Sequence, residues 1–328
     1  MNPQDQKNCP DCDTSLDRRS FIRTVGGAAL AGAAAPVLFG GRFVQGAPSA
    51  TSTAETAVAR FYETLSADQK QMIVFPFDHD LRKKINANWL ITKPTLESDF
   101  YNAQQRELVN EIVRNVTSPD GYERIQRQTE DDHGGIGSYS VAVFGTPGTG
   151  KFEWELTGRH LTLRADGDSV DKAAFGGPII YGHGEETPSK NLFYYQTKKA
   201  NEVFHALDAK QSAKALVSKA PKEDQVAIQG EGGAFPGISI GELSSDQKQL
   251  VESTLKVLLA PYRQEDVSEV FEILKASGGV DKLHMAFYQE EDLLNDKTWD
   301  IWRVEGPAFV WHFRGAPHVH AYINIAMK

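Results

Sequence analysis

Phe309-Val310-Trp311-His312-Phe313-Arg314-Gly315-Ala316-Pro317-His318 runs directly into Val319-His320-Ala321-Tyr322-Ile323-Asn324-Ile325. The second stretch alternates without a break. Val319, Ala321, Ile323 and Ile325 fall on one side, and His318, His320, Tyr322 and Asn324 on the other. Successive side chains of a strand point to opposite faces, so this pattern predicts a β-strand with an apolar and a polar face. Earlier in the chain, Phe152-Glu153-Trp154-Glu155-Leu156-Thr157-Gly158-Arg159-His160 has the same outline as the first stretch: Phe-x-Trp-x-apolar-x-Gly, then a histidine, one residue sooner.

Upstream of these tails a second motif recurs. Leu65-Ser66-Ala67-Asp68-Gln69-Lys70-Gln71-Met72 returns as Leu243-Ser244-Ser245-Asp246-Gln247-Lys248-Gln249-Leu250, with a looser copy at Leu207-Asp208-Ala209-Lys210-Gln211. Ser or Asp followed three residues later by Gln is a helix-start signal, because the two side chains satisfy each other's orphan backbone donors. Leu108, Val109, Ile112, Val113 and Val116 have helical spacing after the first copy. Helical patterns near 247–259 and 265–275 follow the later copy, and strand-like runs close each series at 139–144 and 299–304.

The expected fold is therefore α+β, with two related halves, each helices first and an antiparallel hairpin after, packed as one large domain. The halves are expected at about 60–165 and 240–328. Region 166–239 is read as linker, with the Gly-rich 229–241 as its natural core and a helix near 198–218 packing across both halves.

Two imidazoles two residues apart on one strand face can point at the same ion. His318 and His320 are therefore candidate metal ligands, and His160, ending the first tail, is a candidate third. Three histidines at one transition metal ion (zinc, copper or iron) leave a position for water or substrate. A second set, Arg159, Tyr322, Trp154 and Trp311, describes a small-molecule site with aromatic walls and few polar groups. Arg159 suits an anionic group or a surface carboxylate. Glu153 and Glu155 are expected on the wet face of their hairpin. His133, after Glu130-Asp131-Asp132 in a presumed Gly-rich loop, is a reserve ligand, and Asp78-His79-Asp80 reads as a turn. Gly145-Thr146-Pro147-Gly148-Thr149-Gly150-Lys151 resembles a phosphate loop, but Phe152 replaces the hydroxyl that would hold magnesium, and the segment fits a hairpin turn better. No serine-centred nucleophile elbow occurs.

The N-terminus reads Asp17-Arg18-Arg19-Ser20-Phe21-Ile22-Arg23, then an uncharged Gly/Ala-rich run over 24–41, then small residues around Ala47 and Ala50. This order predicts a twin-arginine signal peptide over residues 1–50, recognised by the twin-arginine translocase during export. The run is too short and glycine-rich to span a bilayer, so no stable membrane insertion is expected after cleavage. Residues 51–328 are then a soluble domain, periplasmic or extracellular. Both cysteines, Cys9 and Cys12, leave with the signal, so no disulfide is expected. Removing 1–50 takes away five basic and four acidic residues, moving the net charge from −9 to −10. That balance argues against nucleic acid as partner.

Taken together, these residues resemble the bacterial family catalogued as domain of unknown function 3500, from about Phe61 onward. The resemblance rests on the Leu-Ser-x-x-Gln helix starts, Tyr139-Ser140-Val141-Ala142-Val143-Phe144-Gly145-Thr146-Pro147, Trp154 through His160, Arg303-Val304-Glu305-Gly306-Pro307, and His318-Val319-His320. Members show Gly-His-His where this chain has Gly158-Arg159-His160, so Arg159 departs from the pattern. The resemblance implies fold and extent more than activity. On the residues themselves, the expected function is an extracytoplasmic metalloprotein with oxidoreductase or hydrolase activity, with a non-catalytic small-molecule-binding protein as the alternative.

Overall fold

A computed structural model describes residues 46–290 and 292–328. The arginine pair and both cysteines lie outside the described residues. Among those described, eight α-helices pack on one eleven-stranded mixed sheet, an α+β fold. No helix among them is long and apolar enough to cross a membrane.

Four helices begin at capping boxes. Three open helices where the sequence places them: Ser66 and Gln69 on α2 (Ala67–Ile73), Asp208 and Gln211 on α6 (Ala209–Ala215), and Ser244 and Gln247 on α7 (Ser245–Leu259). Asn102 and Gln105 form the fourth, on α3 (Ala103–Asn115). Each cap contributes about 1 kcal/mol. The glutamines also join helix starts in pairs. Gln69 and Gln105 exchange amide hydrogen bonds of 3.0 and 2.9 Å, and Gln105 donates to the Thr64 carbonyl at the end of α1 (Thr53–Thr64). Gln211 and Gln247 repeat the exchange at 3.0 and 2.8 Å, with Gln247 donating to Ala206 just past α5 (Tyr194–His205). The Ser66 box is thus bonded to the Asn102 box, and the Ser244 box to the Asp208 box.

The sheet begins with the short β1 (Val74–Phe75), parallel to β2 (Ser140–Gly145). It continues antiparallel through β3 (Phe152–Gly158), β4 (Leu161–Ala165) and β5 (Ile179–His183). Next come β11 (Val319–Ile325), β10 (Phe309–Arg314), β9 (Ile301–Gly306) and β8 (His284–Tyr288), again antiparallel. The short β6 (Leu216–Val217), parallel to β8, ends the order, and β7 (Ile238–Ser239) pairs with β8 off this path. β3 is third from one end and β10 fourth from the other, so the two Phe-x-Trp tails do not occupy matching places.

The helices cover one face. Val141, Val143, Trp154, Leu156 and Leu163 pack against α1 and α3 there. Farther along, Trp302, Trp311, Phe313, Val319, Ala321 and Ile323 pack against α5, α7 and α8 (Gln264–Ala276). Irregular chain covers the opposite face. Ala87 and Val226 sit on Ile180, Val310 and Tyr322, while Ile91 sits on Ala142 and Phe144.

Three expectations are corrected, the first by this cover. Glu153 and Glu155 are fully buried rather than wet. Arg164 bonds both, at 2.7 Å to Glu155, and Arg82 reaches Glu153 at 2.9 Å from the covering segment. Burial drives the Glu155 carboxyl well above its ordinary range, against the pull of Arg164. Region 166–239 is no simple linker, because β5 lies between β4 and β11 and two helices follow it. Residues 130–133 are not loop but the last turn of α4 (Pro119–His133), which ends at Gly134 in the left-handed conformation, φ 73°.

Helices distant in sequence are joined by a buried ion cluster. Arg263, before α8, makes a two-pronged bond to Glu55 of α1 (2.8 and 2.9 Å) and a third to Asp266 (2.9 Å). Removing one member of such a cluster strands uncompensated charge. Arg263→Met is expected to lower unfolding free energy by about 3–5 kcal/mol in urea denaturation; a loss under about 1 kcal/mol would show the cluster to be dispensable.

Candidate metal centre

His318, His320 and His160 come together on the face opposite the helices. The pattern along β11 requires this for His320, since Val319 and Ala321 are fully buried in the helix-packed core. His318 precedes the strand at the β10–β11 turn. His160 arrives from the tight turn between β3 and β4, with a left-handed φ of 57° that a histidine adopts only when its surroundings enforce it. The enforcement is visible. Its N–H donates to the Ala87 carbonyl at 2.6 Å, its carbonyl accepts from Gln128 at 3.0 Å, and Tyr139 bonds the Arg159 carbonyl at 2.7 Å. At Gly158, a Cβ would stand 2.0 Å from the Tyr139 ring, so only glycine fits the approach to the turn.

One ligand nitrogen from each of the three rings lies within 4.8 Å of the others. The His318 and His320 Nε2 atoms are 3.0 Å apart. Tetrahedral zinc with Zn–N near 2.05 Å places its ligands about 3.3 Å apart, so this pair is already at ligand spacing. His160 stacks obliquely on both, with ring centroids 5.1 and 4.8 Å away.

Two carboxylates set the orientation. Asp132, on the last turn of α4, holds His160 Nδ1 at 2.7 Å and also accepts the Gly184 N–H at 2.7 Å. Glu223, on the irregular segment after β6, holds His320 Nδ1 at 2.8 Å and Arg314 at 2.8 Å. With both Nδ1 atoms engaged, each ring turns Nε2 to the cluster, as outer-shell carboxylates do for histidine ligands. Burial alone would raise both acids, but the hydrogen bonds from His160 and Gly184 hold Asp132 below its ordinary range, and the hydrogen bond from His320 with the positive charge of Arg314 does the same for Glu223. Burial, with help from His320 and Arg314, pushes His318 down to about 4; burial also lowers His320. His318 and His320 are therefore neutral at pH 7, the form that binds metal. Three imidazoles, two of them oriented through Nδ1 by carboxylates, fit a divalent transition metal ion and leave a coordination position open.

The remaining candidates are scattered. Tyr322 is nearly buried beside the cluster, its ring 6.5 Å from His320 and its phenol pushed up to about 12 by burial. Arg159 is exposed at the β3–β4 turn. Trp154 and Trp311 lie fully buried in the two halves of the helix-packed core and form no wall of a ligand site. His133 is exposed at the end of α4, outside the cluster. His79 caps the short turn 80–83 by accepting the Leu81 N–H. Two clefts flank the histidines. One, of about 820 Å³, is bordered by Asp132, Arg159 and His183; the other, of about 670 Å³, by Glu223, Arg314 and Tyr322.

The sequence does not mark Asp132, Glu223 or Arg314 as site residues. Asp132 was legible in principle, since Gly121, Ile125, Gln128 and Thr129 form the buried face of α4, but that face is too polar to register as apolar periodicity. Nothing local marks Glu223.

A protein with this fold and a carboxylate-braced three-histidine cluster is a candidate mononuclear metalloprotein. The chain belongs to the family described as protein of unknown function (DUF3500), whose family model matches residues 47–324. Comparison with curated proteins and with solved structures finds no match.

His312, on the same sheet face, supplies a pH test. Burial, followed by Arg303, pushes its imidazole down to about 3 from an ordinary 6.5. The unfolded chain takes up this proton below pH 6.5 while the folded chain does not, so His312 makes stability fall as pH drops through that window. Relative to His312→Gln, the wild type is expected to lose about 2 kcal/mol more between pH 7 and 4.5 in denaturant titrations. Parallel losses in the two proteins would refute the assignment.

Proposed function

We propose that this protein is a His-ligated metalloprotein working outside the cytoplasm, with His160, His318 and His320 holding one transition metal ion. The observation that carries the reading is the convergence of three ligand nitrogens within 4.8 Å, two of their rings held by carboxylates. The ion would supply Lewis acidity, or redox chemistry if it is copper or iron, at its open position. The chain's own residues orient the rings of His160 and His320 and border the flanking clefts. Zinc would indicate a hydrolase and copper or iron an oxidoreductase.

Export follows from the Arg18-Arg19 leader and its Gly/Ala-rich run, with the twin-arginine translocase as transient partner. The acidic balance disfavours nucleic acid, and a small molecule is the expected ligand. We also infer a duplicated chain, with halves at about 53–183 and 194–325. In its support, the strand order reads alike from both ends, each end strand is parallel to its neighbour, and each set of helices has its own glutamine pair. His160 then comes from one half, and His318 and His320 from the other. A purely binding role is less favoured, because Trp154 and Trp311 are core residues.

Metal content decides. Protein purified after native export, without a metal-binding tag, is expected to carry near-stoichiometric metal by elemental analysis, and His318→Ala/His320→Ala to carry none. Equal content in both would end the metalloprotein reading. Asp132→Asn and Glu223→Gln are each expected to weaken metal affinity about 10- to 100-fold in competition titrations, with the fold retained by circular dichroism. Unchanged affinity in both would remove the carboxylates from the site.

A further inference from the structure

We propose that the cluster's open face takes an oxyanion, the carboxylate or phosphate group of a small substrate, held by Arg159 and Arg314. This rests on the reading that the three imidazoles hold an ion. Arg159 follows Gly158 and precedes His160, so the turn that delivers a ligand also delivers a guanidinium. Among the described residues, that guanidinium has no hydrogen-bond or ion-pair partner, although most arginines around the site are engaged. An arginine with nothing to hold, next to a candidate metal ligand, is a binding group more readily than a structural one.

Arg314 supplies the second argument. Its Nη1 is tied to Glu223 at 2.8 Å, while Nη2 stands 3.4 Å from His318 Nε2. That ring nitrogen is the one at ligand spacing from His320. An ion would claim its lone pair, and the Nη2 donor would lose its acceptor while still aimed at the cluster. Donors freed beside a cation, on a planar fork that matches carboxylate and phosphate, recognise an oxyanion.

Charge points the same way. The nearest carboxylates, Asp132 and Glu223, are both occupied by imidazole Nδ1 atoms. In the cleft beside Arg159, Asp131 is shared between Arg127 and His183, and Glu185 lies near Lys190. The acids nearest the histidines are thus engaged, and a divalent ion there would add local positive charge on a protein of net charge −9. A neutral or cationic ligand would leave the Arg159 guanidinium and the Arg314 Nη2 donor without a protein acceptor.

Cobalt(II) titrations of the purified metal-free protein test this, read by visible absorption, with acetate and inorganic phosphate then added separately. Cobalt should bind, and its spectrum should shift saturably with at least one anion, the stronger response distinguishing a carboxylate from a phosphate substrate. Arg159→Gln should bind cobalt as tightly as the wild type but the anion about tenfold or more weakly, and Arg159→Lys should recover part of that loss. Cobalt binding with a spectrum indifferent to both anions, or undiminished anion affinity in Arg159→Gln, overturns the proposal and leaves the metal reading standing. Failure of the wild type to bind cobalt removes the metal reading, and the oxyanion site with it.

Discussion

The period-two alternation of β11 is the constraint on which the rest depends. Val319, Ala321, Ile323 and Ile325 are fully buried against the helices, so a one-residue slip in register would carry four apolar side chains out of the core and a histidine, a tyrosine and an asparagine into it. The pairing of β11 with β5 on one side and β10 on the other makes such a slip costlier, since both ladders would shift together. His320 is thereby held on the face away from the helices, with the backbone of a central strand as its mount.

That face is not left to solvent. Irregular chain from 76–92 and 219–228 lies over it, and the charges beneath are paired rather than hydrated. The same cover that buries Glu153 and Glu155 against Arg164 places Ala87 on the backbone of His160 and Glu223 on the ring of His320. In a low-dielectric setting an unpaired charge is costly and a paired one is rigid, so the covering segments both permit the cluster and orient it. Arg159 stands outside this pattern, as an exposed guanidinium with no partner among the described residues beside a site where nearly every other charge is engaged.

Much of the fold was legible in the sequence because it depends on local signals. Three capping boxes, the spacing of Leu108 to Val113, and the alternation from Val319 to Ile325 are written in neighbouring residues. What escaped depends on distant ones. α4 buries glycine, glutamine and threonine beside a single isoleucine, so its inner face looks like its outer one. Glu153 and Glu155 alternate with Phe152, Trp154 and Leu156 as a solvated face would, and only the segment carrying Arg82 makes that face dry. The correspondence of the tails was misread for a related reason. Trp154 and Trp311 share a local pattern but sit on strands at different places in the sheet order, whereas the glutamine pairs that do match are linked across 36 residues in each case. Of the site, the three histidines were visible as strand and turn residues, while Asp132, Glu223 and Arg314 were not, since their roles arise only where separate segments meet.

The most direct test of the proposed metal centre is X-ray absorption at the edge of whichever metal the purified protein retains. Three imidazole nitrogens at about 2.0–2.1 Å, with one further light ligand and with the imidazole scattering lost in the His318→Ala/His320→Ala protein, is the expected spectrum. A retained metal bound by oxygen alone, with a spectrum unaltered by removal of the two histidines, would contradict the centre described here.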